Sequence, residues 1–362
     1  MQKIVKKNNG YILIFTLLIT AATTAVVTYI FNRGIVYVPF MQLMIDQEKA
    51  KIIALSGIQV IASQLTYQEK EKREPRVEKK TMPNQDNNEK KLLARILPTL
   101  NRWQTFQLKE NIEGIDAQLQ VCLMSEEGKI NLNKIYDFSQ HKFRGQEKKQ
   151  ENWKKILQEV FNRIEKINKG KDLFSSLEKF LSKQQQPLND VTELLAIKSF
   201  ITFKNDLFYD PPNKLEKKKR PTKQPLYLTD IFTTSSSKAT LEPWLFSDSL
   251  DHLFGLKQAE FGDIKQRKKI VNQWLKNFKK TAKWKQDWNT QLKPVYEKEL
   301  QSLPQSIDSI LSTTFEPKMF SILSYATVGS VTQRLFVVVE RIKSSQNGQT
   351  VYDIKIRKLY WL

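Results

Sequence analysis

The chain is poor in the residues that do metal and redox chemistry: one cysteine, Cys122, and two histidines, His141 and His252, in 362 residues. A single thiol excludes an intrachain disulfide, so a location outside the cytoplasm would leave no mark on cysteine usage. It also leaves too few ligands for a zinc site built from His and Cys. Cys122 lies between Val121 and Leu123 in a β-prone stretch, where packing is the expected role rather than nucleophilic work. Glycine is scarce, with 11 residues, and none forms a phosphate-cradling loop. No dense carboxylate loop of the calcium-binding type occurs. The nearest approach to a carboxylate pair is Glu126 and Glu127, adjacent in a turn and expected to be solvated. These absences argue against an enzyme, and no cofactor or metal is expected.

Charge is plentiful and of one sign. Lys and Arg total 59 against 38 Asp and Glu, a formal net charge of +21 that would suit a nucleic acid, an anionic membrane or an acidic partner. Lysine outnumbers arginine and is spread along the chain, which reads as compositional bias rather than a patch. The best nucleic-acid candidate is 257–298, where lysines interleave with Trp274, Phe278, Trp284 and Trp288; rings so placed can stack bases. Yet Ile270, Val271, Trp274, Leu275, Phe278 and Ala282 fall on one helical stripe, as a core-facing surface does. The lysines are then its solvated side, and nucleic acid is not expected as a partner.

Residues 11–31 contain no charge and no proline. At 1.5 Å per residue they reach roughly 31 Å, one bilayer core. Lys3, Lys6 and Lys7 precede them and place the N-terminus in the cytoplasm. Three readings stand here. One is a cleaved secretory signal, with Ala21-Ala22-Thr23-Thr24-Ala25 as its small residues, although its apolar region is normally about 7–15 residues long. The second is an uncleaved anchor. The third starts from the junction itself: a short basic leader closing on Gly10, directly against Tyr11 and an unbroken apolar helix, resembles a type IV prepilin or pseudopilin. The resemblance implies cleavage after Gly10 by a prepilin peptidase and N-methylation of Tyr11.

Beyond the membrane, Arg33-Gly34 and Pro39 are expected to interrupt or bend the helix. Helical spacing resumes through Ile45, Ile52, Ile53, Leu55, Ile58, Ile61, Ala62 and Leu65, an amphipathic stem. A charged, amide-rich stretch with Pro75 and Pro83 reads as a linker. Residues 92–108 read as a short helix or irregular segment, and 115–124 as a strand. The pattern is mainly helical from 136 to about 310, with a Pro- and Lys-rich loop at 213–225. Strands follow at 319–328, 334–343 and 351–362, the last two joined by Asn347-Gly348. Strand patterns on both sides of a helical block predict a sheet carrying a helical insertion.

Glu127-Gly128-Lys129-Ile130-Asn131-Leu132-Asn133, after a strand and an acidic turn, resembles a motif of type II secretion system protein K, the largest minor pseudopilin. Leu188-Asn189-Asp190-Val191-Thr192-Glu193-Leu194-Leu195-Ala196-Ile197 and Leu228-Thr229-Asp230-Ile231-Phe232-Thr233 resemble the close of that family's first helical unit and the opening of its second. Gly128, Lys129, Asn131 and Asn133 carry the turn motif. Leu241-Glu242-Pro243-Trp244 departs from the family, which usually has an Asn-x-Asn-Thr-Ala turn there. The resemblance implies an α+β fold: a membrane helix with its stem, and a small antiparallel pilin-like sheet with a large inserted all-helical domain, SAM-like or helix-hairpin-helix-like. The expected division is leader 1–10, membrane helix 11–31, stem 32–66, linker 67–91, first part of the pilin-like domain 92–135, insert 136–312 and C-terminal strands 313–362. It further implies a bacterial inner-membrane location with a periplasmic soluble part. The implied partners are other minor pseudopilins, the major pseudopilin, the prepilin peptidase and the inner-membrane assembly platform. Most pilins have glutamate five residues after the cleavage glycine; Phe15 stands there, protein K likewise lacks this glutamate, and the resemblance implies a place at the filament tip. The alternative is a membrane-anchored, DNA-capturing component or minor pilin of a type IV pilus or competence machine.

Overall fold

The computed structural model describes residues 9–66, 85–144, 153–168, 171–211, 225–256, 264–304, 307–346 and 349–362. The leader lysines, residues 67–84 of the expected linker, nearly all of the 213–225 loop and the Asn347-Gly348 turn lie outside them.

Helix α1 is continuous from Asn9 to Thr66. Arg33-Gly34 does not break it, and Pro39 lies inside it, forgoing one backbone bond in an exposed stretch. The threonines are accommodated because their hydroxyls bond carbonyls one turn back: Thr23 to Ile19 at 2.9 Å, Thr24 to Thr20 and Thr28 to Thr24 at 2.7 Å. Its apolar side chains stand free from Tyr11, 85% exposed, to Ile45, 45% exposed. Among the described residues this is the one helix long and apolar enough to cross a membrane. Burial begins only at Ala50 and continues at Ala54, Gly57, Ile58, Ile61 and Leu65, one face at three- and four-residue steps.

That face docks on a five-stranded antiparallel sheet in the order β1-β2-β3-β4-β5, formed by Trp103–Leu108, Ala117–Ser125, Met319–Val328, Val331–Gln346 and Gln349–Trp361. Alternation decides which residues meet the helix. Leu119 and Val121 of β2, Ile322 and Ala326 of β3, and Val337 and Val339 of β4 lie in the core shared with α1. Cys122, Met124, Leu323, Tyr325, Phe336 and Val338 point to the opposite face and pack with Trp103, Phe208, Tyr209 and Tyr360. The fit to the helix is close: a Cβ on Gly57 would stand 2.5 Å from Ser324 Oγ and 2.9 Å from Leu119 and Val121. Ser324 meanwhile donates to the Ala54 carbonyl at 2.8 Å.

Two elements differ from the sequence reading. Residues 85–91, expected in the linker, begin helix α2, Gln85–Ile96, whose Leu92, Leu93 and Ile96 are buried. Residues 103–108, expected as helix or irregular chain, form the edge strand β1.

Strand β2 pairs along its length with β3, from Ala117 opposite Val328 to Ser125 opposite Phe320. Everything between them is therefore an insertion between two neighbouring strands. The insert is mainly helical, with α3 Trp153–Asn168, α4 Leu173–Leu181, α5 Asp248–Phe254, α6 Ile264–Trp274 and α7 Trp284–Gln291, and, among the described residues, short turns of helix and two two-residue ladders besides.

Candidate functional sites in the membrane helix and the insertion joint

The residues expected to be processed, Gly10 and Tyr11, lie in the first turn of α1. Tyr11 is 85% exposed, and Phe15 one turn later is 68% exposed. Among the described residues both of these side chains are left exposed.

The turn motif is the opposite case, buried at Gly128, Lys129 and Asn131 and half-buried at Asn133. β2 ends at Ser125, and the chain turns through Glu126, Glu127 and Gly128 against the backbone of the insert. A Cβ on Gly128 would lie 1.6 Å from the Leu245 carbonyl oxygen, so only glycine fits this approach. Lys129 has a side-chain exposure of 0% and reaches Glu126 at 2.6 Å and the Ser321 hydroxyl at 3.2 Å. Thr233 donates to the other Glu126 oxygen. Burial pushes the Glu126 carboxyl up, but the Lys129 charge and these hydrogen bonds outweigh it and hold it below its usual range.

The asparagines tie the motif outward. Asn131 accepts from Asn133 N–H at 3.0 Å, capping the turn that follows, and donates to the Ser236 carbonyl at 2.7 Å. Asn133 grips the Leu188 backbone from both sides, donating to its carbonyl at 2.7 Å and accepting its N–H at 2.9 Å. Ile130 and Asn131 pair in parallel with Phe232 and Thr233. Asp190 and Glu193 form a reciprocal cap at the start of Val191–Ala196. The three stretches that stand out in the sequence, at 127–133, 188–197 and 228–233, thus converge on one joint where the insert leaves the sheet.

One expectation is overturned here. Glu126 and Glu127 are not solvated; they are 3% and 1% exposed. Glu127 accepts the backbone N–H groups of Lys318 and Met319 at 3.1 and 3.0 Å and the Ser237 hydroxyl at 3.3 Å, tying the end of β2 to the start of β3. Sequence reasoning missed this acid, because its partners lie far away along the chain.

Cys122 is buried, and burial pushes its thiol well up, as packing without reactivity requires. His141 and His252 are both exposed. Among the described residues no group of three or more His, Cys, Asp or Glu is placed to hold a metal ion. In the lysine-rich segment, Trp284 and Trp288 are buried and donate their indole N–H groups to the Ser312 and Lys298 carbonyls at 2.7 and 2.9 Å. Val271, Leu275 and Ala282 are buried with them. Several lysines are paired instead with acids, Lys279 with Asp287 at 2.7 Å and Lys285 with Asp308 at 3.1 Å. These two indoles offer no face on which a base could stack.

No protein-family model and no curated protein sequence matches the chain. Among solved structures it is similar to a chain of the GspK-GspI-GspJ complex from the type 2 secretion system of enterotoxigenic Escherichia coli. Identity is 11%, coverage 91% of this chain and 99% of that one, and the TM-score 0.39. A likeness this low assigns neither a family nor a function.

Proposed function

We propose that the protein is a minor pseudopilin of a type II secretion machine, acting by assembly rather than catalysis, with its soluble part at the tip of a short periplasmic filament. One observation carries the reading: a single helix is bare and apolar over its first part and docked by a narrow face on a small antiparallel sheet over its last. The first part suits a bilayer or a bundle of like helices. The Gly10–Tyr11 junction supports cleavage and methylation by a prepilin peptidase. Phe15 supports the tip: an intramembrane carboxylate costs about 2.5–3.5 kcal/mol unless partnered, and a subunit with no neighbour above it has no amine to meet. Other minor pseudopilins, the major pseudopilin and an inner-membrane assembly platform are the partners this role requires.

The experiment is N-terminal mass spectrometry of protein extracted from cells with an active peptidase, together with immunogold labelling of sheared filaments. Methylated Tyr11 at the terminus and label at one filament end are expected. An intact Met1 would remove the processing reading, and label spread evenly along filaments would remove the tip assignment.

A further inference from the structure

Between Lys7 and Asp46 the sequence holds one charge, Arg33. The stretch 11–45 is about 52 Å long at 1.5 Å per residue, whereas a bilayer core is roughly 30 Å thick. Its described apolar side chains are exposed along the whole length, so apolarity alone does not say which part lies in the membrane. Tilting all of it into the core takes about 55°, beyond the range of up to about 40° that membrane helices adopt. It would also carry Arg33 into hydrocarbon. A crossing that ends at Ile45 puts Arg33 close to the midplane, and residues 34–45 alone, about 18 Å, are too short to cross. A crossing over 11–31 leaves Arg33 at the boundary.

The side chains suit that boundary. Tyr29, Arg33 and Tyr37 recur at four-residue steps and share one face of α1. The guanidinium leans one turn back towards the crossing, with its Cζ 4.8 Å from the centroid of the Tyr29 ring. Stacking uses a face of the guanidinium and leaves the donors at its edge without an acceptor among the described residues. The next acid along the helix, Asp46, lies about 20 Å further on. It is engaged elsewhere: it accepts from Gln42 at 2.8 Å and meets the turn between β3 and β4, where a Cβ on Gly329 would stand 2.9 Å from its Oδ2. At the level of Arg33 a bilayer presents phosphate oxygens, which the planar guanidinium fork matches with two parallel hydrogen bonds. Tyr29 and Tyr37 are both exposed, as rings that sit among headgroups are.

We propose that Arg33, stacked on Tyr29, binds a phospholipid phosphate in the leaflet facing the soluble part and thereby fixes the depth of α1. The bound charge ends the crossing near Phe31 and keeps residues 34–45 above the hydrocarbon, a spacer of about 18 Å below the β3–β4 turn. Without the charge, one apolar window is as good as another, and the helix sinks or tilts until Asp46 meets the surface. The proposal rests on α1 crossing a membrane; it is independent of cleavage after Gly10 and of a place in a filament.

The test uses the full chain, reconstituted with its soluble part outward in vesicles of phosphatidylethanolamine and phosphatidylglycerol in phosphate-free buffer. Flotation with the vesicles checks the crossing itself. Val38→Cys and Met41→Cys, made singly, are treated with a membrane-impermeant maleimide; Cys122 is buried, and its background is measured on the unsubstituted chain. Both new thiols should react readily beside Arg33, and about tenfold more slowly once Arg33→Leu lets the helix sink. In solid-state magnetic resonance, lipid phosphorus should dephase an isotope-labelled guanidinium carbon, and Arg33→Leu should abolish that contact. Near-ultraviolet circular dichroism should be unchanged by Arg33→Leu, because the soluble core begins only at Ala50. Slow labelling beside Arg33, equal labelling in Arg33→Leu, or no dephasing that depends on Arg33 overturns the proposal. A chain that does not float with the vesicles overturns the membrane reading beneath it.

Discussion

Lys129 is the residue on which the joint turns, because its ammonium has no solvent and one full-charge partner, Glu126. Lys129→Met keeps the bulk and removes the charge, leaving a buried carboxylate with only hydroxyl donors. A loss of about 3–5 kcal/mol in urea unfolding is expected. Adding Glu126→Gln should recover a good part of it, since the pair is then replaced rather than broken. Glu126 is held low, so its contribution is present above about 4.5 and fades as pH falls through the folded value. Little of this was legible in the sequence. The turn at Ser125-Glu126-Glu127-Gly128 was readable, and so were Gly128, Lys129, Asn131 and Asn133 as a unit. Two adjacent acids before a glycine look solvated until Ser321, Thr233 and the Lys318 backbone are brought to them, and no local pattern records contacts at that separation.

At the scale of the element, α1 shows where periodicity informs and where it misleads. The spacing located a stem with Ile58, Ile61 and Leu65 on its inner face, and these are buried. Ile45, Ile52 and Leu55 were expected beside them but are 45%, 63% and 41% exposed. Ala50, Ala54 and Gly57 share the docking face with Ile58, Ile61 and Leu65 instead, and at Gly57 the helix lies too close to Leu119, Val121 and Ser324 for any side chain. Apolar size is thus a poor guide on a helix whose contact depends on close approach. The central strands were legible from β-prone residues, loosely alternating at 115–124 and β-branched at Val337, Val338 and Val339, whereas β1, with its two glutamines and half-exposed pattern, was not. A chain cut to begin at residue 46 should therefore fold as a monomer, keeping every buried residue of α1. A chain cut to begin at 67 should be insoluble or molten, having stripped Ala50, Ala54, Ile58, Ile61 and Leu65 from the sheet. Size-exclusion chromatography with near-ultraviolet circular dichroism distinguishes the two.

The whole molecule is a sheet interrupted between two of its neighbouring strands. Replacing 127–317 with a short polar turn should leave a β-rich fragment that still unfolds cooperatively, at a lower midpoint and with dye-binding apolar surface. That surface is the sheet face carrying Cys122, Leu323, Tyr325 and Phe336, which Phe208 and Tyr209 of the insert now cover. Thermal circular dichroism with a fluorescent apolar probe checks it; a fragment without a cooperative transition would mean that the insert is a structural half, not an addition. The place of the interruption also bears on descent. Ser125 and Phe320 face each other across one strand pair, so the insert starts and finishes at almost the same point. Closing a loop of about 190 residues costs only about 0.6 kcal/mol more than closing one of half that length. The sheet is nearly indifferent to the size of what it carries, and lineages are free to lengthen, shorten or exchange the cargo while inheriting the same small frame and anchor.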